Sequence, residues 1–76
     1  MTKLRNFIDS VFDDGYDRVA GFEHFREMEN WDSLQYMTLV VAIQAEFGIE
    51  LDPEEIQKIT SVAAIGAVLK SKGVEL

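Results

Sequence analysis

Apolar residues near the start of the chain recur every three to four positions, which is the period of one face of an α-helix. The pattern runs from Lys3 to Asp14 and stops at Gly15, which follows two aspartates. It predicts a first amphipathic helix over residues 3–14. Its apolar positions are Leu4, Phe7, Ile8, Val11 and Phe12.

The segment from Tyr16 to Asn30 has no clean period. Its apolar residues, among them Val19, Phe22 and Phe25, are scattered between charged ones. We predict a long loop with room for a short helical turn, and its aromatic side chains can pin it to the core.

Capping signals mark the later helices. Asp32 and Gln35 have the spacing of a capping box, and the long apolar pattern that follows them stops at Gly48. This predicts a second helix that starts at Asp32 or Ser33 and lies centrally. Its apolar positions are Leu34, Met37, Val40, Val41, Ile43 and Phe47.

The remaining chain reads as two more helices. Asp52 followed by Pro53 and Glu55 predicts a short third helix that ends near Ile59. Thr60 or Ser61 then caps a fourth helix, which Gly73 ends. With no strand pattern, the sequence predicts one all-α domain over residues 1–76. Its architecture is a small four-helix bundle with a long loop between helices 1 and 2 and a short helix 3.

Charge and composition exclude several functions. Fourteen acidic residues against seven basic ones give a net charge of −7, a surface that repels nucleic acid. The absence of cysteine removes disulfides, thiolate chemistry and Cys-based metal sites and favours a cytoplasmic location. The longest apolar run, Val62 to Leu69, is too short to span a membrane.

Few residues are available for catalysis. His24 is the single histidine, so neither a catalytic triad nor a zinc site can be assembled, and we expect it to be an ordinary loop side chain. The aspartates at 13, 14 and 17 lack the ligand spacing of a calcium loop. We therefore predict no metal site and no enzyme activity. Ser33 is the remaining candidate, although such a serine alone is usually a helix cap.

Four sequence stretches around and after Ser33 favour a role for this serine beyond helix capping. They are Trp31-Asp32-Ser33-Leu34, Ala45-Glu46-Phe47-Gly48-Ile49-Glu50-Leu51, Pro53-Glu54-Glu55-Ile56 and Lys58-Ile59-Thr60-Ser61-Val62. Together, and in this order, they closely resemble the acyl carrier protein family over residues 3–72.

The resemblance implies that Ser33 carries a covalent 4'-phosphopantetheine arm whose thiol holds an acyl group. A serine at a helix N-terminus suits this, because the backbone N–H groups and the helix dipole favour a phosphate. The resemblance also implies that Asp32 orients the modifying enzyme and its metal, although Asp32 can equally be only a cap. The implied partners are a phosphopantetheinyl transferase, an acyl-loading ligase or transferase, and condensing or downstream acyl-transfer enzymes that meet a monomeric carrier.

The same resemblance places Leu34, Met37, Val41 and Ile59 among the residues that touch partner enzymes. Ile59 and Val62 match positions that line the opening for the attached chain, and they are equally good core residues. Family members usually carry several carboxylates on the exposed face of the second helix, where Gln35, Tyr36, Thr38 and Gln44 stand here. Trp31 replaces a residue that is commonly small.

These departures favour a carrier of a specialised fatty acid, polyketide or related pathway. The cargo itself stays open. One alternative is an aminoacyl or peptidyl carrier of a nonribosomal peptide type of pathway. Another is an unmodified acidic docking module with the same fold.

Overall fold

The computed structural model describes residues 2–29 and 31–74, and in these ranges all regular structure is helical. This confirms the predicted all-α class. None of the helices in the described ranges is long and apolar enough to cross a membrane. The elements are α1 (Thr2–Val11), α2 (Tyr16–Ala20), a 3-10 helix (Phe25–Glu27), α3 (Ser33–Phe47), α4 (Pro53–Gln57) and α5 (Val62–Ser71).

Helix α2 lies inside the segment predicted as a loop. Gly15 precedes it with a positive φ of 84°, a backbone conformation that favours glycine. The amide of Tyr16 then donates to Oδ1 of Asp9 across 2.6 Å, and Arg5 pairs with Asp17 across 2.7 Å. These contacts hold α2 against α1, and its other side packs on α5.

The long helix α3 begins and ends as its capping signals predict. Asp32 is the N-cap and accepts a hydrogen bond from the amide of Gln35 at 2.8 Å, although the Gln35 side chain does not return the second bond of a capping box. Gly48 ends the helix in the left-handed conformation, with φ of 63°.

The other boundaries need small corrections. Helix α1 ends at Val11 and α4 ends at Gln57, both earlier than predicted. Asp52 and Glu55 form the complete capping box of α4, and it is Ser61 that caps α5.

One apolar core holds the bundle together, and α4 is the α-helix that contributes no buried residue to it. No buried side-chain N or O atom in the described part of the chain lacks a hydrogen-bond partner. The buried residues are Leu4, Phe7, Ile8, Phe12, Val19, Phe25, Leu39, Val40, Ile43, Leu51, Ile59, Val62, Ile65, Val68 and Leu69.

Candidate functional site

Ser33 is the first residue of α3 and is exposed. The amide of Gln35 is bound by the Asp32 side chain, and the amide of Tyr36 donates to the Asp32 carbonyl at 3.0 Å. The amides of Ser33 and Leu34 have no acceptor among the described residues. A helix N-terminus with two open N–H groups favours an anion bound to the Ser33 oxygen.

A cleft of about 470 Å³ opens beside Ser33. It lies where the 3-10 helix, the start of α3 and the junction between α4 and α5 meet. Its lining combines aromatic and polar side chains. Its lining residues are His24, Trp31, Asp32, Ser33, Tyr36, Gln57, Ile59 and Thr60.

An aromatic cluster supports the Trp31 wall of the cleft. The Trp31 ring lies 5.0 Å from that of Phe25 and 6.2 Å from that of Tyr36, centroid to centroid. Phe12 stacks behind Phe25 at 5.8 Å. Because Phe12 and Phe25 are both buried, they fix the position of the indole next to Ser33.

The phenol of Tyr36 joins α3 to α4. Its hydroxyl donates a hydrogen bond to the carbonyl of Ile56. Burial raises the pKa of Tyr36 above its ordinary value of 10.0, so the phenol stays protonated as this donor. The bond holds α4 across the cleft from Ser33.

His24 comes to the cleft from the loop before α3. Its Nδ1 accepts from the amide of Arg26 at 3.0 Å, and its own amide donates to Glu27 Oε2 at 3.0 Å, which makes a capping box for the 3-10 helix. The next amide, that of Phe25, donates to the carbonyl of Thr60 at 2.7 Å. The expectation of an ordinary loop side chain therefore missed that His24 shares a cleft with Ser33.

The exposed face of α3 carries large apolar side chains. Leu34 is 76% exposed, Met37 49% and Val41 58%. Thr38 and Ala45 are exposed on the same face, and no ionisable side chain except the partly buried Tyr36 occurs between positions 33 and 45. We call Leu34, Met37, Thr38, Val41 and Ala45 the α3 face.

Ile59 does not belong to that surface. Its side chain is 1% exposed, and Val62 is 3% exposed, because both pack in the core where α4 meets α5. Ile59 forms part of the inner lining of the cleft. The expectation that Ile59 touches partner enzymes is corrected accordingly: in this structure it is a core residue.

The arrangement presents Ser33 without activating it. The Asp32 carboxylate accepts from the Gln35 amide. Among the described residues, no side chain makes a hydrogen bond with the Ser33 hydroxyl. Within residues 2–29 and 31–74, no three His, Cys, Asp or Glu side chains cluster closely enough to hold a metal ion. Such a serine can be modified only when another protein supplies the base.

Comparison with known proteins identifies a family model described as phosphopantetheine attachment site, which matches residues 21–69. A mitochondrial acyl carrier protein of Dictyostelium discoideum is 43% identical over 53 aligned positions, covering 63% of this chain and 43% of that protein. An acyl carrier protein of Nitratidesulfovibrio vulgaris is 44% identical over 41 residues, which is 54% of each chain. The chain thus spans about half the length of these curated relatives. No solved structure matches.

Proposed function

Because the chain belongs to the phosphopantetheine attachment site family, we propose that residues 1–76 form an acyl carrier domain with Ser33 as the attachment site. The observation that carries this proposal is the exposed Ser33 at the N-terminus of α3, inside the matched segment. The covalent group of this family is 4'-phosphopantetheine. Its terminal thiol forms the thioester that a chain without cysteine cannot form itself.

The residues around Ser33 fit such an arm. The open amides of Ser33 and Leu34 suit a phosphodiester, which carries negative charge. The cleft beside them combines the Trp31 ring with polar side chains, as an arm with methyl groups, a hydroxyl and two amides requires. This chain binds the arm, and its own residues perform no chemistry on the cargo.

Attachment of the arm requires a phosphopantetheinyl transferase. Since Ser33 has no base of its own, the transferase supplies the base and the magnesium ion. Asp32 is exposed beside the serine, and we assign it two roles: capping α3 through Oδ1 and orienting the transferase through its remaining oxygen.

The α3 face is the surface for the enzymes that load and use the carrier. Leu34, Met37 and Val41 surround the base of the arm, so an enzyme that receives the arm contacts them. These enzymes are an acyl-loading ligase or transferase and condensing or downstream acyl-transfer enzymes. An uncharged α3 face favours partners dedicated to a specialised pathway, because a basic enzyme surface finds no carboxylate there. We propose that the carrier acts as a monomer. Its cytoplasmic location stays a prediction, since one relative is named as mitochondrial.

Intact mass spectrometry tests the proposal. The chain is incubated with coenzyme A, magnesium and a phosphopantetheinyl transferase of broad specificity, and we expect the mass of one phosphopantetheine to be added. Ser33→Ala removes the gain, whereas Ser10→Ala, which changes another exposed serine, keeps it. If the wild-type protein stays unmodified with several transferases, the proposal fails and the alternative of an acidic docking module with the same fold is favoured. Loading assays with acyl and aminoacyl ligases then separate the two classes of cargo.

A further inference from the structure

We propose that His24 holds the arm on Ser33 in the cleft by donating a hydrogen bond from Nε2 to an oxygen of the arm. This inference rests on the proposed function and assigns a positioning role to a residue nine positions before the attachment site. The role is separate from capping the 3-10 helix, which uses the other ring nitrogen.

The hydrogen bonding of the ring leaves one donor available. Nδ1 accepts from the Arg26 amide, so in the neutral ring the proton is on Nε2. Nε2 has no partner among the described residues, although the ring lines the cleft. His24 is half-buried, so its Nε2–H gains from an acceptor, and a substituent bonded to Ser33 brings acceptors into the cleft that both residues line.

Two hydrogen bonds from main-chain amides fix the backbone at His24. The His24 amide is held by Glu27, and the neighbouring Phe25 amide donates to the carbonyl of Thr60, which also lines the cleft. His24 and Thr60 therefore lie close to each other where both line the cleft. An arm on Ser33 can lie in this cleft next to His24, with Trp31 as an apolar part of the lining.

The donor is suited to reversible holding. A neutral N–H to carbonyl hydrogen bond is weak enough in water that an arm held by it can still leave for a partner enzyme. The arm therefore exchanges between the cleft and solvent, and removal of Nε2–H shifts this balance towards solvent.

Two substitutions separate holding the arm from capping the helix. In His24→Asn the amide oxygen occupies the place of Nδ1 and keeps the cap, but the side chain is too short to replace Nε2. In His24→Gln the terminal amide nitrogen occupies the place of Nε2 and keeps the donor, while the cap acceptor is displaced. His24→Asn therefore loses the donor to the arm and keeps the helix cap, whereas His24→Gln loses the cap and keeps the donor.

In tag-free protein, the composition of the chain makes the NMR and the thiol measurements unambiguous. His24 is the only histidine, so its ring gives one set of NMR signals. The chain has no cysteine, so the thiol of the arm is the only thiol. The measurements are the His24 ring shifts before and after modification, nuclear Overhauser contacts between the ring and the arm, the rate of thiol exchange with a small disulfide, and the melting temperature of the unmodified protein.

We expect the ring signals to shift on modification and to show contacts with the arm. The thiol of His24→Asn should exchange about two- to tenfold faster than that of wild type, with little change in melting temperature. His24→Gln should exchange at the wild-type rate and melt earlier. Unshifted ring signals in protein shown by mass to be fully modified overturn the inference and leave the proposed function intact. Equal rates of thiol exchange for wild type and His24→Asn overturn the inference as well. A failure to modify Ser33 overturns both the inference and the proposed function.

Discussion

The backbone amide of Phe25 donates to the carbonyl of Thr60 across 2.7 Å, which ties the loop before α3 to the turn between α4 and α5. His24, which precedes Phe25, and Thr60 both line the cleft beside Ser33. The Phe25 ring is buried in the core, so its packing sets the position of the main-chain amide that makes this bond. The shape of the site is thus set by the core as much as by the residues that line it.

We therefore predict that Phe25→Ala destabilises the fold. The Phe25 side chain is 1% exposed and lies between Phe12 and Trp31, so its removal leaves a cavity. The free energy of unfolding should fall by about 3–5 kcal/mol, most of what a domain of this size has. Urea unfolding followed by fluorescence of Trp31, the only tryptophan, measures it. Phe22→Ala is the control, since Phe22 is not packed against the core, and equal losses for both variants would contradict the argument.

The second prediction concerns Met37. At 49% exposure its side chain contributes little to the core, so Met37→Ala should leave the circular dichroism spectrum unchanged. It should slow loading by the cognate enzyme, because a flexible apolar contact is lost, and Met37→Glu should slow it further. Raised salt should reduce the association rate more than it changes the dissociation rate. Loading kinetics and thermal melts of each variant test this, and a Met37→Ala protein that melts early with normal loading would show that Met37 stabilises the fold.

A third prediction follows from the acidic surface. Arg5 with Asp17 and Lys72 with Glu55 are the ion pairs found in the described residues, so most of the carboxylates repel one another. Moderate salt or magnesium should raise the melting temperature. Asp14→Asn, which removes an exposed and unpaired charge, should raise it in low salt and shrink the effect of added salt. A melting temperature that does not respond to either ion would show that self-repulsion is negligible.

The fourth prediction is a pH dependence that arises at Glu55. The bond from Lys72 and the bond from the Asp52 amide lower the pKa of Glu55 below its ordinary 4.5. A carboxyl whose pKa is lowered by folding stabilises the folded state above its unfolded pKa, and this contribution is lost as the pH falls through the folded pKa. Glu55→Gln keeps a side chain that can complete the capping box but removes the charge.

We expect Glu55→Gln and Lys72→Met to be less stable than wild type at neutral pH by similar amounts. Their unfolding curves should converge with that of wild type as the pH falls below 4.5. Urea titrations over this range measure the effect. A difference that persists unchanged into acid would mean that the two residues act through packing rather than charge.

The fold is predictable from the sequence wherever the signals are local. The Asp52 and Ser61 caps and the glycine stop at Gly48 act within one helical turn, so the sequence places α3, α4 and α5 almost correctly. Helix α2 is predicted only as room for a short helical turn in a loop, because only Val19 is buried among its five residues, which is too little for a period to show. Its position depends on Asp9 and Arg5 of α1, which no local pattern reports.

For the candidate site, the sequence predicts Ser33, Asp32 and the apolar side chains of the α3 face, because these lie on or next to one helix. It does not place His24 beside Ser33. The His24 and Glu27 spacing has the form of a capping box, but the contact of Phe25 with Thr60 that carries His24 to the cleft depends on tertiary packing. The burial of Ile59 has the same origin, since an apolar residue at a helix junction can face either way.

Helix α4 has no buried residue and is attached through the partly buried Ile56, the Tyr36 phenol and the Glu55 pair with Lys72. An element held by so few contacts opens at a lower free energy than the global unfolding of the core. Amide hydrogens of residues 53–57 should therefore exchange with deuterium before those of α3 and α5. Local opening of α4 would widen the cleft at Gln57 while the rest of the bundle stays folded, so access to the cleft would not require the unfolded state.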